Sequence, residues 1–225
     1  TPITAEGWRS SRQKRETDMK RTGKSGWLRR ASALLLLLAL AFSGCAAPAE
    51  KTQAEKTAAY LMDTVTEPSC GSVGGEWAVI GLARAGCAVK GGYFEGYYDR
   101  LCETLRACGG VLDARKNTEY SRVILALTAI GKDPSDVAGY DLLLPLADHE
   151  QTLWQGLNGP IWALIALDAG AYAIPQTVSG TQASRARYVQ TILDAQTENG
   201  AWGLAAGSED VDMTAMALQA LAKYT

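Results

Sequence analysis

With one histidine and two phenylalanines among 225 residues, the chain is poorly equipped for several common chemistries. A catalytic zinc site needs three protein ligands and an open position. The lone His149 sits between Asp148 and Glu150. It reads as a solvated residue of an outer helix, so neither a metal nor any other cofactor is implied. Basic residues are scarce as well: from Cys45 onward there are 13 Lys plus Arg against 21 Asp plus Glu. That balance supplies no basic stripe for phosphates, which makes nucleic acid a poor partner. The apolar run Ala31 to Phe42 is about half the ~20 residues that a membrane-spanning helix requires.

What the run does fit is a secretory signal. Lys20, Arg21, Lys24, Arg29 and Arg30 precede it and FSGCAAP follows, the order of charged region, short apolar region and small-residue cleavage site. Segment 19–44 is therefore expected to be a signal peptide beginning at Met19, with 1–18 an upstream segment. Ser43, Gly44 and Cys45 resemble a bacterial lipobox, with Phe42 where such sequences usually carry Leu. The resemblance implies a lipidated Cys45, residues 45–50 as a short tether, and an extracytoplasmic protein anchored to the cell membrane. Cys70, Cys87, Cys102 and Cys108 remain. Outside the cytoplasm they could pair, although Cys102 and Cys108 stand about 240° apart on a regular helix; small buried apolar residues are the other reading.

The chain as a whole is globular by composition, 47% apolar and 20% charged, and its part 51–225 repeats itself. AVIGL, VILAL, ALIAL and TAMAL end at Leu82, Leu127, Leu167 and Leu218, spaced by 45, 40 and 51 residues. The first three phrases lie in segments apolar almost all round, as buried helices are. The intervening segments, such as YYDRLCETLRAC and RARYVQTILDAQ, have one apolar face. Glycines, Gly86, Gly131 and Gly170 among them, follow the inner phrases as carboxyl caps. The pattern predicts four outer-inner hairpins with helices near 51–65, 75–86, 94–108, 118–131, 139–149, 160–170, 182–197 and 212–224. Pro145 predicts a kink or break in the fifth. No β-sheet is required.

RARYVQTILDAQTENGAWG, with Arg187, Tyr188, Gln196, Gly200 and Trp202 in order, resembles the repeat of the prenyltransferase and squalene-cyclase (terpenoid cyclase) superfamily. The resemblance implies an all-α fold, an α/α toroid of inner and outer helices. Gln196 would bond carbonyls of a helix terminus, Gly200 would permit the tight turn, and Trp202 would pack back over it. Four hairpins against the superfamily's roughly six imply an incomplete toroid.

The resemblance brings several chemistries with it. Class II terpene cyclases protonate an alkene with an Asp-x-Asp-Asp motif. Asp210-Val211-Asp212-Met213 resembles it except that Met213 replaces the last acid, and neighbouring acids are what tune such a group. The alternative for the pair is a helix cap. Complement-type thioester domains are excluded because Cys70-Gly71-Ser72-Val73 lacks the Gln that closes the thioester. A glycosidase needs two opposed carboxylates, and Glu76 and Asp212 share a register, six residues before their leucines. Trp77, Arg122, Trp162 and Met213 stand five residues before theirs, where they would line the mouth of an apolar cavity. The expectation is a ligand- or partner-binding module for a hydrophobic small molecule or a surface partner, with an isoprenoid cyclase using Asp212 as general acid, aided by Asp210, as the alternative.

Overall fold

Among the described residues eight α-helices form where the apolar spacing changes, and the segment around Pro145 is broken, as that proline predicts. The computed structural model describes residues 50–71 and 75–224. The segments expected to be an upstream stretch and a signal peptide, and the expected lipidation site Cys45, fall outside the described residues, and Lys51–Thr225 packs as one compact unit. The helices are α1 (Gln53–Thr64), α2 (Glu76–Arg84), α3 (Tyr93–Ala107), α4 (Asn117–Ala129), α5 (His149–Thr152), α6 (Asn158–Ala169), α7 (Arg185–Asp194) and α8 (Val211–Leu221). No β-strand occurs among the described residues, and the fold is all-α.

Starts are set by short polar side chains that take up free amide groups. Thr52 and Glu55 make a reciprocal capping box at α1, Ser184 accepts from the Arg187 amide at α7, and Asp148 caps α5. Between 139 and 149 the expected helix is replaced by a single 3₁₀ turn, Leu144–Ala147, with α5 after it. Pro145 sits in the first turn of that segment, where a missing amide hydrogen costs little, and it cannot continue an α-helix begun earlier.

Two classes of helix are visible in what they bury. In α3 the buried positions are Tyr93, Tyr97, Leu101, Cys102 and Leu105, one stripe; α1 and α7 have similarly narrow stripes. By contrast α6 buries Gly159, Pro160, Ile161, Ala163, Leu164, Ala166 and Leu167, which encircle it. Helix α4 packs against both α2 and α6, and α6 in turn against α7 and α8. Leu82, Leu127 and Leu167 are almost wholly buried in this row. Leu218, the fourth of the repeated leucines, is 56% exposed. Helix α8 buries Met213, Ala217, Ala220 and Leu221 instead, a single stripe facing one way, so its phrase matches the others in spelling and not in environment.

Two glycines act through backbone geometry. Gly200, at φ +84°, takes the left-handed conformation that closes the Gln196–Trp202 turn. Gly170 is the carboxyl cap of α6, as expected, at φ −116°, and the left-handed conformation falls on Ala171 at φ +53°. What Gly170 provides is room, since a Cβ there would come within 2.2 Å of the Tyr172 ring. In the turn itself Gln196 Nε2 donates to the Gly200 carbonyl at 2.9 Å, and Trp202 Nε1 donates to the Ile192 carbonyl at 2.6 Å. The helix-terminal carbonyl thus goes to the indole, which is buried, and not to Gln196. Asp168 gathers the far end: Arg185 Nε at 2.7 Å and the Tyr224 hydroxyl at 2.6 Å bind its two oxygens, tying the chain after α8 to α6.

Candidate functional site

Glu76 begins α2 and is completely buried, a costly place for a carboxylate unless it is paired. One oxygen accepts from Arg122 Nε on α4 at 3.0 Å and the other from the Gly71 amide at 3.1 Å. The rest of the guanidinium forms a two-pronged pair with Glu119, one turn earlier on α4. Burial alone would lower the Arg122 pKa; the hydrogen bonds and charges of Glu119 and Glu76 outweigh it and hold the group firmly cationic. Cys70 lies beside this pair, and its thiol is pushed up to about 12, first by burial and then by the Glu76 charge. The Tyr97 hydroxyl, buried near the same groups, has no hydrogen-bond partner among the described residues. Burial raises its pKa, with Glu76 and Cys70 adding to the effect.

Next to Glu76 in the chain, Trp77 meets Trp162 of α6 edge-on, with ring centroids 5.6 Å apart and planes at 65°. Such a pair contributes about 0.5–1.5 kcal/mol beyond the area it buries. Trp77 nevertheless remains 50% exposed. Thr118 and Gln155 exchange two hydrogen bonds of 3.0 Å near the start of α4, and Trp154, beside Gln155, is exposed too. The start of α2 thus carries the ion-paired Glu76 and, next to it in the chain, an indole that α6 meets through Trp162.

Of the four residues expected at a cavity mouth, Trp77 and Trp162 meet, and Arg122 bonds Glu76, the residue before Trp77. Met213 does not join them: it is a core residue of α8. Asp210 is the cap of α8, with Oδ1 accepting from the Met213 amide at 2.8 Å, while Asp212 is exposed on the first turn. Glu76 is enclosed in its ion pair and Asp212 faces solvent, so the two share a register without sharing a surface. His149 differs from its expected solvated position. It is buried, bonds Thr191 Oγ1 at 2.9 Å and lies against the Tyr188 ring, both on α7, while its backbone amide donates to the Thr181 carbonyl. The four cysteines after Cys45 are free thiols, and only Cys102 is buried. No three metal-binding side chains converge among the described residues.

Glu119 and Tyr97 were not anticipated. The i,i+3 spacing of Glu119 and Arg122 carries a visible signal; nothing in the sequence announces that Tyr97 shares their neighbourhood. A separate cavity of about 590 Å³ opens at the other ends of α4 and α6, lined by Thr128, Asp133, Asp141 and Tyr172 among others. No known family model, curated protein or solved structure matches the chain.

Proposed function

We propose that the chain is a binding module whose ligand-contacting surface is the rim formed by the starts of α2, α4 and α6, on a scaffold of prenyltransferase and squalene-cyclase type. The observation that carries this reading is the half-exposed Trp77, braced by Trp162 next to a guanidinium locked between two carboxylates. A large aromatic surface left open over rigidly held polar groups is suited to recognition. Consecutive packing of α2 with α4, α4 with α6 and α6 with α8 supports an arc of an α/α toroid, with α1, α3 and α7 as its outer helices. The lipobox-like Ser43-Gly44-Cys45 supports presentation of this module outside the cytoplasm on a lipid anchor.

The exposed position of Asp212 and the capping bond of Asp210 favour binding over alkene protonation, which needs an acid inside a closed apolar cavity. The test is a fragment screen on protein labelled with 5-fluorotryptophan. Ligands are expected to shift the fluorine resonances of Trp77 and Trp162 while leaving the core residue Trp202 unmoved. A screen in which no compound perturbs Trp77 or Trp162, or turnover of squalene that depends on Asp212, would overturn the reading.

A further inference from the structure

We infer that the cleft of about 310 Å³ between the start of α4, the Leu144–Ala147 turn and the α6–α7 loop binds a small organic cation, an ammonium or guanidinium group carried on a short apolar body. The site is separate from the rim of the proposed function, since neither Trp77 nor Trp162 lines it. Two of its lining side chains, Asn117 and Asp148, are polar and buried, at 4% and 6% exposed. Buried polar groups normally find partners, so any position they leave unfilled calls for a reason.

Each of the two spends one polar atom on the protein and keeps another. Asn117 Nδ2 donates to the Pro145 carbonyl at 2.9 Å. A carbonyl only accepts, so this bond fixes which end of the amide is which and leaves Oδ1 as an acceptor. Asp148 Oδ1 accepts from the Glu150 and Gln151 amides at 3.0 and 3.3 Å, its capping role. Asn117 Oδ1 and Asp148 Oδ2 receive no donor among the described residues, and neither is sealed from solvent. Gly180, at φ +71°, lies against that carboxylate, where a Cβ would come within 2.3 Å of Oδ2. The loop thus approaches Asp148 with a residue that has no side chain to cover it. Leu144 and Pro145 add apolar wall, and Val111 and Val178, 55% and 85% exposed, carry apolar surface out to solvent. Asp113 brings a second carboxylate to the lining, its pKa lowered by the backbone amides of Arg115 and Lys116. Two open acceptors, one of them anionic, in a partly apolar cleft suit a ligand with several N–H donors, a positive charge and a few carbons. Hydrogen bonds from such a cation to a carboxylate are roughly twice as strong as neutral ones. Arg115 and Lys116, exposed beside Asp113 in the chain, make a bound anion the competing outcome.

n-Butylammonium and n-butylguanidinium are the probes, titrated into the full chain and followed by calorimetry and saturation-transfer NMR. Saturable binding is expected for at least one of them. Tetramethylammonium, which has the charge without an N–H, and n-butanol, which has the tail without the charge, should bind about tenfold more weakly or worse. Asp148→Asn is the decisive variant: asparagine keeps a capping acceptor, so α5 retains its start, while an NH₂ group replaces Oδ2 and affinity falls about tenfold or more. Tyr60→Ala, which removes an exposed aromatic of α1, leaves affinity unchanged. Absence of saturable binding by the folded chain overturns the inference, as does affinity that survives intact in Asp148→Asn. Tetramethylammonium or n-butanol bound as tightly as the probes overturns it too, because the open acceptors then play no part. Inorganic phosphate bound in the cleft in place of the amines assigns it to an anion drawn by Arg115 and Lys116, and equally removes the cation.

Discussion

Replacing Arg122 by Met tests whether the inner helices are locked by one ion pair. The substitution keeps most of the side chain's volume and removes the charge that Glu76 depends on. Glu76 is completely buried, and without Arg122 the partners left to it among the described residues are the Gly71 amide and the weakly donating Cys70 thiol. Breaking a buried pair by deleting one member costs about 3–5 kcal/mol, because the other charge stays behind uncompensated. The Arg122 side chain is 20% exposed, which lets water reach the site and places the expectation near the lower bound, about 3 kcal/mol. Its bond to the partly exposed Glu119 adds less than about 1 kcal/mol. For a unit of this size each kcal/mol moves the midpoint by about 2–4 °C, so thermal unfolding followed by circular dichroism should fall by roughly 6–12 °C. The decisive arm is the double variant: Arg122→Met with Glu76→Gln should recover more than half of the loss, since the stranded charge is then gone. A loss below about 1 kcal/mol, or a double variant less stable than Arg122→Met, refutes the account of Glu76 as a buried anion held by Arg122.

Asp210→Ala is expected to cost about 1 kcal/mol by removing the cap on the Met213 amide, whereas Asp212→Asn should stay within about 0.5 kcal/mol; urea titration distinguishes them, and equal effects would contradict the assignment of the cap. His149 titrates below 6.5 in the folded protein, first because burial disfavours its charged form and then because Arg187 lies nearby. The unfolded chain therefore binds more protons below that pH, so stability is full above 6.5 and declines as pH falls toward the depressed folded value. His149→Gln should flatten that part of the profile, and an unchanged slope would sink the assignment. The Cys70 thiol, pushed up to about 12, should react with a thiol reagent at pH 8 far more slowly than the exposed Cys108, as mass spectrometry of partially labelled protein would reveal.

Much of the helical plan can be read from residue spacing. Inner segments such as NGPIWALIALDAG are apolar on every side, and a chain can satisfy that only by surrounding the helix with others. The break at Pro145 was foreseeable because the ring and the missing amide act locally. His149 was misjudged for the opposite reason: its acidic neighbours suggest water, and the groups it meets, Tyr188 and Thr191 of α7, are distant in sequence. Met213 aligns with Trp77 and Trp162 in sequence register, yet α8 presents that register to the core because its burial is confined to one stripe.

Local chemistry was thus decided within the chain: the helices, most of their ends, the QTENGAWG turn and the polar start of α8 at Asp210. Each depends on backbone groups a few residues away, whose positions follow directly from sequence separation. The pairing of Glu76 with Arg122, 46 residues apart, belongs to tertiary structure. So does the meeting of Trp77 with Trp162, and so does the exposure of Asp212, because which face of a helix meets water depends on what packs against it and not on its own spelling. Charges and aromatic faces became a candidate site only where α2, α4 and α6 brought their first turns together.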